Sequence, residues 1–75
     1  MTITKKMIDI KIKNIFEFYE QQMIKETNYQ SRFSDYCVIV GEVTAMSIFG
    51  IIEDDRYKEL LDRAEEIFHK ADIND

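Results

Sequence analysis

The chain has no proline, two glycines, one cysteine and one histidine. A sequence with so little backbone punctuation can hold few turns, which excludes an architecture of many short strands and favours a few long helices. One cysteine excludes an internal disulfide; Cys37 lies inside an apolar run, is expected to be a buried inert thiol, and fits a reducing cytoplasmic setting. With His69 and Cys37 each the only residue of its kind, no zinc set can be assembled within one chain. A Ser or Cys nucleophile would depend on His69, for which the sequence offers no orienting partner. Gly41 and Gly50 stand alone, so no glycine-rich loop exists to cradle a phosphate. No cofactor, metal or catalytic group is therefore expected, and the chain reads as something other than an enzyme.

What is present is one domain of 75 residues with a net charge of -5. A chain this short buries only about 60% of the surface that its unfolded form exposes, so its stability margin is thin and a second copy or a partner would help it. The first residues carry lysines but no continuous apolar core behind them, unlike a signal peptide. The most apolar stretch, Phe33 to Ile52, falls short of the roughly 20 residues of a membrane span and holds Glu42 near its middle. No membrane association is expected.

Periodicity predicts an all-α fold with helices over about 5–27, 32–49 and 54–71. The arrangement is a small three-helix bundle, or a helical hairpin with an extra N-terminal helix, packed as a homodimer. In the first helix Ile8, Ile12, Ile15, Phe16, Tyr19 and Met23 form one stripe, with Thr4 as N-cap. Met7 to Lys13 also alternates as a strand would, but has no second strand to pair with. Asn28 to Ser31 lose the periodicity and read as a loop, with Ser31 or Ser34 capping the central helix. From Phe33 to Phe49 the only charges are Asp35 and Glu42, so this element is expected to be buried without a solvent face.

Gly50 suits the left-handed position past a helix end, with Ile51 folding back on Met46. If Glu53 is the next N-cap, Ile52 and Tyr57 form a hydrophobic staple. The third helix puts Tyr57, Leu60, Leu61, Ala64, Ile67, Phe68 and Ala71 inward. Its outer face offers the ion pairs Lys58 with Asp62, Glu59 with Arg63 and Glu66 with Lys70.

Glu66-x-x-His69 has the spacing of half a carboxylate-bridged di-iron site, but both side chains point away from the apolar stripe. Glu53, Asp54 and Asp55 lack the alternate spacing and glycine of a calcium loop, and helix capping accounts for them. Residues 51–75 hold nine acids against four Lys and Arg, so a recognition helix there would be repelled by DNA. The N-terminal segment is basic through Lys5, Lys6, Lys11 and Lys13. It leaves a small DNA-binding transcriptional or replication regulator as the alternative function.

Two groups of residues suggest contact with other proteins. Met7, Ile10 and Phe18 fall off the main stripe of the first helix, as does Ile24, and would serve as apolar anchors. Asp55, Glu59, Asp62 and Glu66 could imitate nucleic-acid phosphates to a basic groove. On the central helix Ser34, Val38, Gly41 and Ala45 make a smooth strip, with Cys37 and Thr44 beside it. Such a strip permits either a close crossing within the chain or a symmetric dimer. In a dimer Glu42 would need a partner such as Arg32 or Lys25.

The abundance of Ile, Lys and Asn over Ala, Gly and Pro suggests an AT-rich coding sequence. The stretch VGEVTAMSIFGIIEDDRYKELLDRAEEI, Val40 to Ile67, resembles the small orphan all-helical proteins of phages and mobile elements of low-GC bacteria. That resemblance carries no motif with assigned residues. It implies a context in which small acidic proteins bind and block a host or self-encoded protein, anti-CRISPR inhibitors among them.

Overall fold

The computed structural model describes residues 2–26 and 28–73. Three helices follow one another, α1 (Lys5–Lys25), α2 (Tyr29–Ile48) and α3 (Asp54–Ile73), and among the described residues there is no strand. The fold is an all-α three-helix bundle, and Met7 to Lys13 is helical throughout.

Helices α1 and α2 each start where a side chain satisfies an orphan amide. The Thr4 hydroxyl accepts from the Met7 amide at 3.2 Å and opens α1. Asn28 does the same for α2, its Oδ1 accepting from the Gln30 amide at 2.7 Å. This moves the start of α2 to Tyr29, ahead of the expected 32, and turns part of the expected loop into helix. Asn28 is itself a strong cap, and the earlier turn also brings Tyr29 onto Phe68, ring centres 5.7 Å apart. Helix α1 ends at Lys25, before the expected 27, with the Glu26 amide donating to the Gln22 carbonyl; position 27 itself lies outside the described residues. Helix α3 runs two residues past the expected end at Ala71, to Ile73.

The turn between α2 and α3 forms as its residues predict. Gly50 has φ of +72°, the left-handed conformation that costs an L side chain most. Its amide donates to the Ser47 carbonyl at 3.1 Å, and the Ile51 amide reaches the Met46 carbonyl at 2.8 Å. These are the two bonds of a glycine-terminated helix end. Glu53 supplies the first carbonyl of α3, accepting from the Tyr57 amide at 2.9 Å. Ile52 is buried in the core, and Tyr57 packs against it while its hydroxyl meets Thr44 Oγ1 at 2.9 Å. That bond fastens α3 to α2 next to the turn.

The core joins Ile12, Phe16 and Met23 of α1, Ile39 and Val43 of α2, Ile52 of the turn, and Leu60, Ala64, Phe68 and Ala71 of α3. The stripes predicted for α1 and α3 are the ones that turn inward. The expectation for α2 fails in part. Only Arg32, Ile39 and Val43 are buried on it, while Phe33, Ser34, Cys37, Val38, Gly41 and Ile48 face solvent. In a bundle of three helices each helix meets two neighbours over less than half its circumference. An apolar sequence cannot change that geometry, so α2 has a wet face of apolar and small side chains. Cys37 is consequently exposed, contrary to expectation.

Arg32 is 1% exposed and sits on the same stripe as Ile39 and Val43. One guanidinium nitrogen donates to the Glu26 carbonyl at 3.2 Å, at the end of α1 where helix carbonyls lack intrahelical partners. Its charge is thus directed to a helix C-terminus, the end that favours a cation. Glu42, for which a partner is expected only across a dimer, has its Oε2 buried without a hydrogen bond.

Candidate functional site

With the cores turned inward, the three helices present three chemically different outer faces. On α3 the acids Asp55, Glu59, Asp62 and Glu66 recur at four, three and four residues, and all four are exposed. At 100° per residue they make one stripe directly opposite Leu60, Ala64 and Phe68. Neighbours on such a stripe stand about 5–6 Å apart. The structure thus gathers all four sequence-predicted acids on one surface.

Few charges neutralise that stripe. Glu59 pairs with Arg56 at 3.3 Å, three residues before it. The expected partner Arg63 instead lays its guanidinium over the Phe16 ring, 4.8 Å from the centroid, where it gains cation–π attraction and covers the core. His69 Nε2 lies 3.6 Å from Glu65 Oε1 with both side chains mostly exposed, while Glu66 edges a shallow depression with Glu20, Arg63 and Lys70. Lys58 with Asp62 and Glu66 with Lys70 are not among the ion pairs of the described residues. The spacing rule placed these charges on one face correctly, but long side chains in water choose among several partners of nearly equal energy.

The N-terminal end of the stripe borders a cleft of about 730 Å³ between the start of α1 and the α2–α3 turn. Ile8, Ile51 and Ile52 line it beside Asp9, Glu53, Asp55 and Glu59, with Lys5 and Arg56 as its cations. Periodicity within single helices could not reveal this cleft, because it needs the two chain segments side by side. Among the described residues no three potential metal-ligating side chains come together.

On α1 the predicted anchors Met7, Ile10 and Phe18 are all exposed, and so is Ile24. Met7 and Ile10 share the outer face with Asn14 and Gln21, while Phe18 sits to one side with its ring edge-on to Tyr19 at 5.0 Å. Lys5, Lys6, Lys11 and Lys13 are exposed but spread around the helix, and Lys13 lies 3.9 Å from Glu17.

On α2 the predicted strip Ser34, Val38, Gly41 and Ala45 faces outward, Ala45 being half-buried. A close crossing inside the chain does not occur there: a Cβ built on Gly41 would meet nothing within 4 Å. Cys37, Thr44 and Ile48 border the strip, and no charged residue lies within it. Asp35 and Glu42 stand at its edge, each half-buried with one carboxylate oxygen lacking a hydrogen-bond partner. Burial first, and the nearby charge of Glu26 second, raise the Asp35 pKa above its usual 3.8.

No helix among the described residues is long and apolar enough to cross a membrane. Compared with protein-family models, with curated proteins and with solved structures, the chain matches none.

Proposed function

We propose that this protein is a non-enzymatic interaction protein, an acidic helical inhibitor or regulator that works by occupying the basic surface of a host or self-encoded protein. The observation that carries the reading is the exposed stripe Asp55, Glu59, Asp62 and Glu66 on one face of α3. Eleven steps of helix rise, from Asp55 to Glu66, span about 16 Å. Four negative charges over that length stand about 5.5 Å apart along the axis, sparser than the roughly one per 3.4 Å of a nucleic-acid strand but likewise a linear array of one sign. A groove built for phosphates would attract such a face and discriminate against neutral ones.

The exposed Met7, Ile10 and Phe18 of α1 add apolar anchors, because charge steers an encounter while buried apolar side chains hold it. In the phage or mobile-element context that the sequence resembles, an anti-defence inhibitor of the anti-CRISPR type is the form this function would take. Self-association in the cytoplasm belongs to the same reading.

The experiment is competition for a basic nucleic-acid-binding protein of the host. The chain is titrated into that protein bound to a fluorescent duplex, and release of the duplex is read as loss of anisotropy. Wild type should displace it at low salt and less at high salt. A variant with Asp55→Asn, Glu59→Gln, Asp62→Asn and Glu66→Gln should displace it at least tenfold less well. Equal displacement by the two chains would overturn the charge-mimicry reading.

A further inference from the structure

We infer that the cleft between the start of α1 and the α2–α3 turn receives a lysine or arginine side chain from the basic surface of the partner protein. The inference rests on the reading of α3 as the face that meets such a surface, and it adds the place where one basic residue is held.

Three observations carry it. The first is the size and apolar lining of the cleft. Its volume of about 730 Å³ falls within the range of about 300–1,000 Å³ of pockets that bind ligands. Ile8, Ile51 and Ile52 line it. Ile52 is buried in the core, but Ile51 is 41% exposed and Ile8 is half-buried. Hydrocarbon is thus left open to water here, and an occupant gains by covering it.

The second observation is charge. The carboxylates of Asp9, Glu53, Asp55 and Glu59 line the cleft against two cations, Lys5 and Arg56. Among the described residues Glu59 alone of these acids has an ion pair, with Arg56 at 3.3 Å, which leaves three acids to Lys5. The N-terminus of α3 favours anions at this end, but Asp54 and Asp55 in its first turn already answer it. Among the described residues no three carboxylates converge as a metal ion would need. A cleft with net negative charge and open hydrocarbon matches a cation carried on an aliphatic stem, which is the form of lysine and arginine side chains.

The third is position. Asp55 and Glu59 belong both to the cleft and to the outer stripe that continues through Asp62 and Glu66. A basic surface lying along the stripe therefore meets the cleft at its end, and this continuity assigns the occupant to a protein surface rather than to a free amine. Exposed ion pairs along the stripe hold weakly. A basic side chain whose stem leaves water in the cleft gives the complex an anchor.

The test uses a fluorescein-labelled hexalysine peptide as probe, titrated with the full chain at low salt and followed by anisotropy, with a map of backbone amide chemical shifts from the same titration. Wild type should bind it, with the largest shifts at Ile8, Asp9, Ile51 and Glu53. Asp9→Asn removes a cleft charge that is not on the stripe, and Ile51→Ser removes hydrocarbon without altering charge. Each should weaken binding about threefold. Asp62→Asn combined with Glu66→Gln, outside the cleft, should weaken it less than either. Lys5→Gln should tighten it about threefold, a gain that misfolding does not produce, and circular dichroism checks the helicity of every variant.

Binding that ignores Ile51→Ser and Lys5→Gln, with shifts centred on Asp62 and Glu66, overturns the cleft assignment while the stripe reading stands. No binding at low salt overturns the cleft as a site for a basic side chain, and duplex displacement then decides the stripe reading by itself. Cleft-dependent peptide binding by a chain that displaces no duplex supports the cleft and overturns the imitation of nucleic acid alone.

Discussion

Helices α2 and α3 pack on each other more extensively than any other pair, yet their outer faces are opposites. Helix α3 divides sharply, with Leu60, Ala64, Phe68 and Ala71 buried and Asp55, Glu59, Asp62 and Glu66 in water. Helix α2 buries Ile39 and Val43 but leaves Phe33, Val38 and Ile48 exposed and buries Arg32. An outer face rich in charge is at home in water and can steer a partner of opposite charge. One of the same length without charge offers no such steering, and this difference directs both our proposals to α3 and the cleft at its start rather than to α2.

Substitutions can break or sharpen that comparison. The largest effect is expected on the inner side of α3, where Phe68 meets Tyr29, Phe33 and Tyr36 at ring separations of 5.7, 6.1 and 5.1 Å. Phe68→Ala should cost about 3–5 kcal/mol. A chain of this length holds only about 4–11 kcal/mol in total, so thermal denaturation should show a drastically lowered midpoint or no cooperative transition. A loss under 1 kcal/mol would mean that the aromatic cluster is not part of the core.

The two glycines of α2 and its turn provide the next contrast, because the same change should have opposite signs. Gly50→Ala forces a methyl into the left-handed region and should destabilise by about 1–2 kcal/mol. Gly41→Ala should stabilise the monomer by about 0.8–1.0 kcal/mol, since its methyl meets nothing in its own chain. Urea titration at a concentration where the chain is monomeric measures both. A destabilised Gly41→Ala monomer would show that α2 is covered by its own chain after all.

Tyr57→Phe removes the hydroxyl that meets Thr44 and should cost about 1 kcal/mol, seen as a lower urea midpoint at unchanged slope. No change would indicate that Tyr57 contributes by its ring alone.

The smallest effect concerns Asp35 at the edge of the α2 face. Its folded-state pKa stands above the usual 3.8, so the folded chain holds the proton more tightly than the unfolded one. The resulting penalty is absent below the usual value, grows as pH rises toward the folded-state value, and is fully present at neutral pH. Asp35→Asn should therefore raise the melting temperature slightly at pH 7 and leave it unchanged near pH 3. A gain of equal size at both pH values would assign the effect to something other than charge.

Much of this was legible in local pattern. Thr4, the inward stripes of α1 and α3, and the run Gly50, Ile51, Ile52, Glu53 each act over a few residues, and short-range geometry follows directly from residue type there. Asn28 reads as loop and the cap falls to Ser31 or Ser34, because the lost periodicity around Asn28 hides the earlier start of α2. Arg32 was harder to place: it shares the stripe of Ile39 and Val43, yet its burial depends on the end of α1 arriving beside it. Cys37 was misjudged because an apolar run does not reveal which part of it will be covered.

By itself, then, the sequence determined the three helices, the glycine turn, the faces of α1 and α3, and the alignment of the four acids, since all follow from helical spacing and the conformational limits of single residues. Tertiary structure alone decided that α2 keeps a wet uncharged side, that Arg32 is buried against the Glu26 carbonyl, and that a cleft opens between the start of α1 and the α2–α3 turn. Those features depend on how many neighbours each helix meets and where chain ends come together, and no periodicity within one helix encodes that.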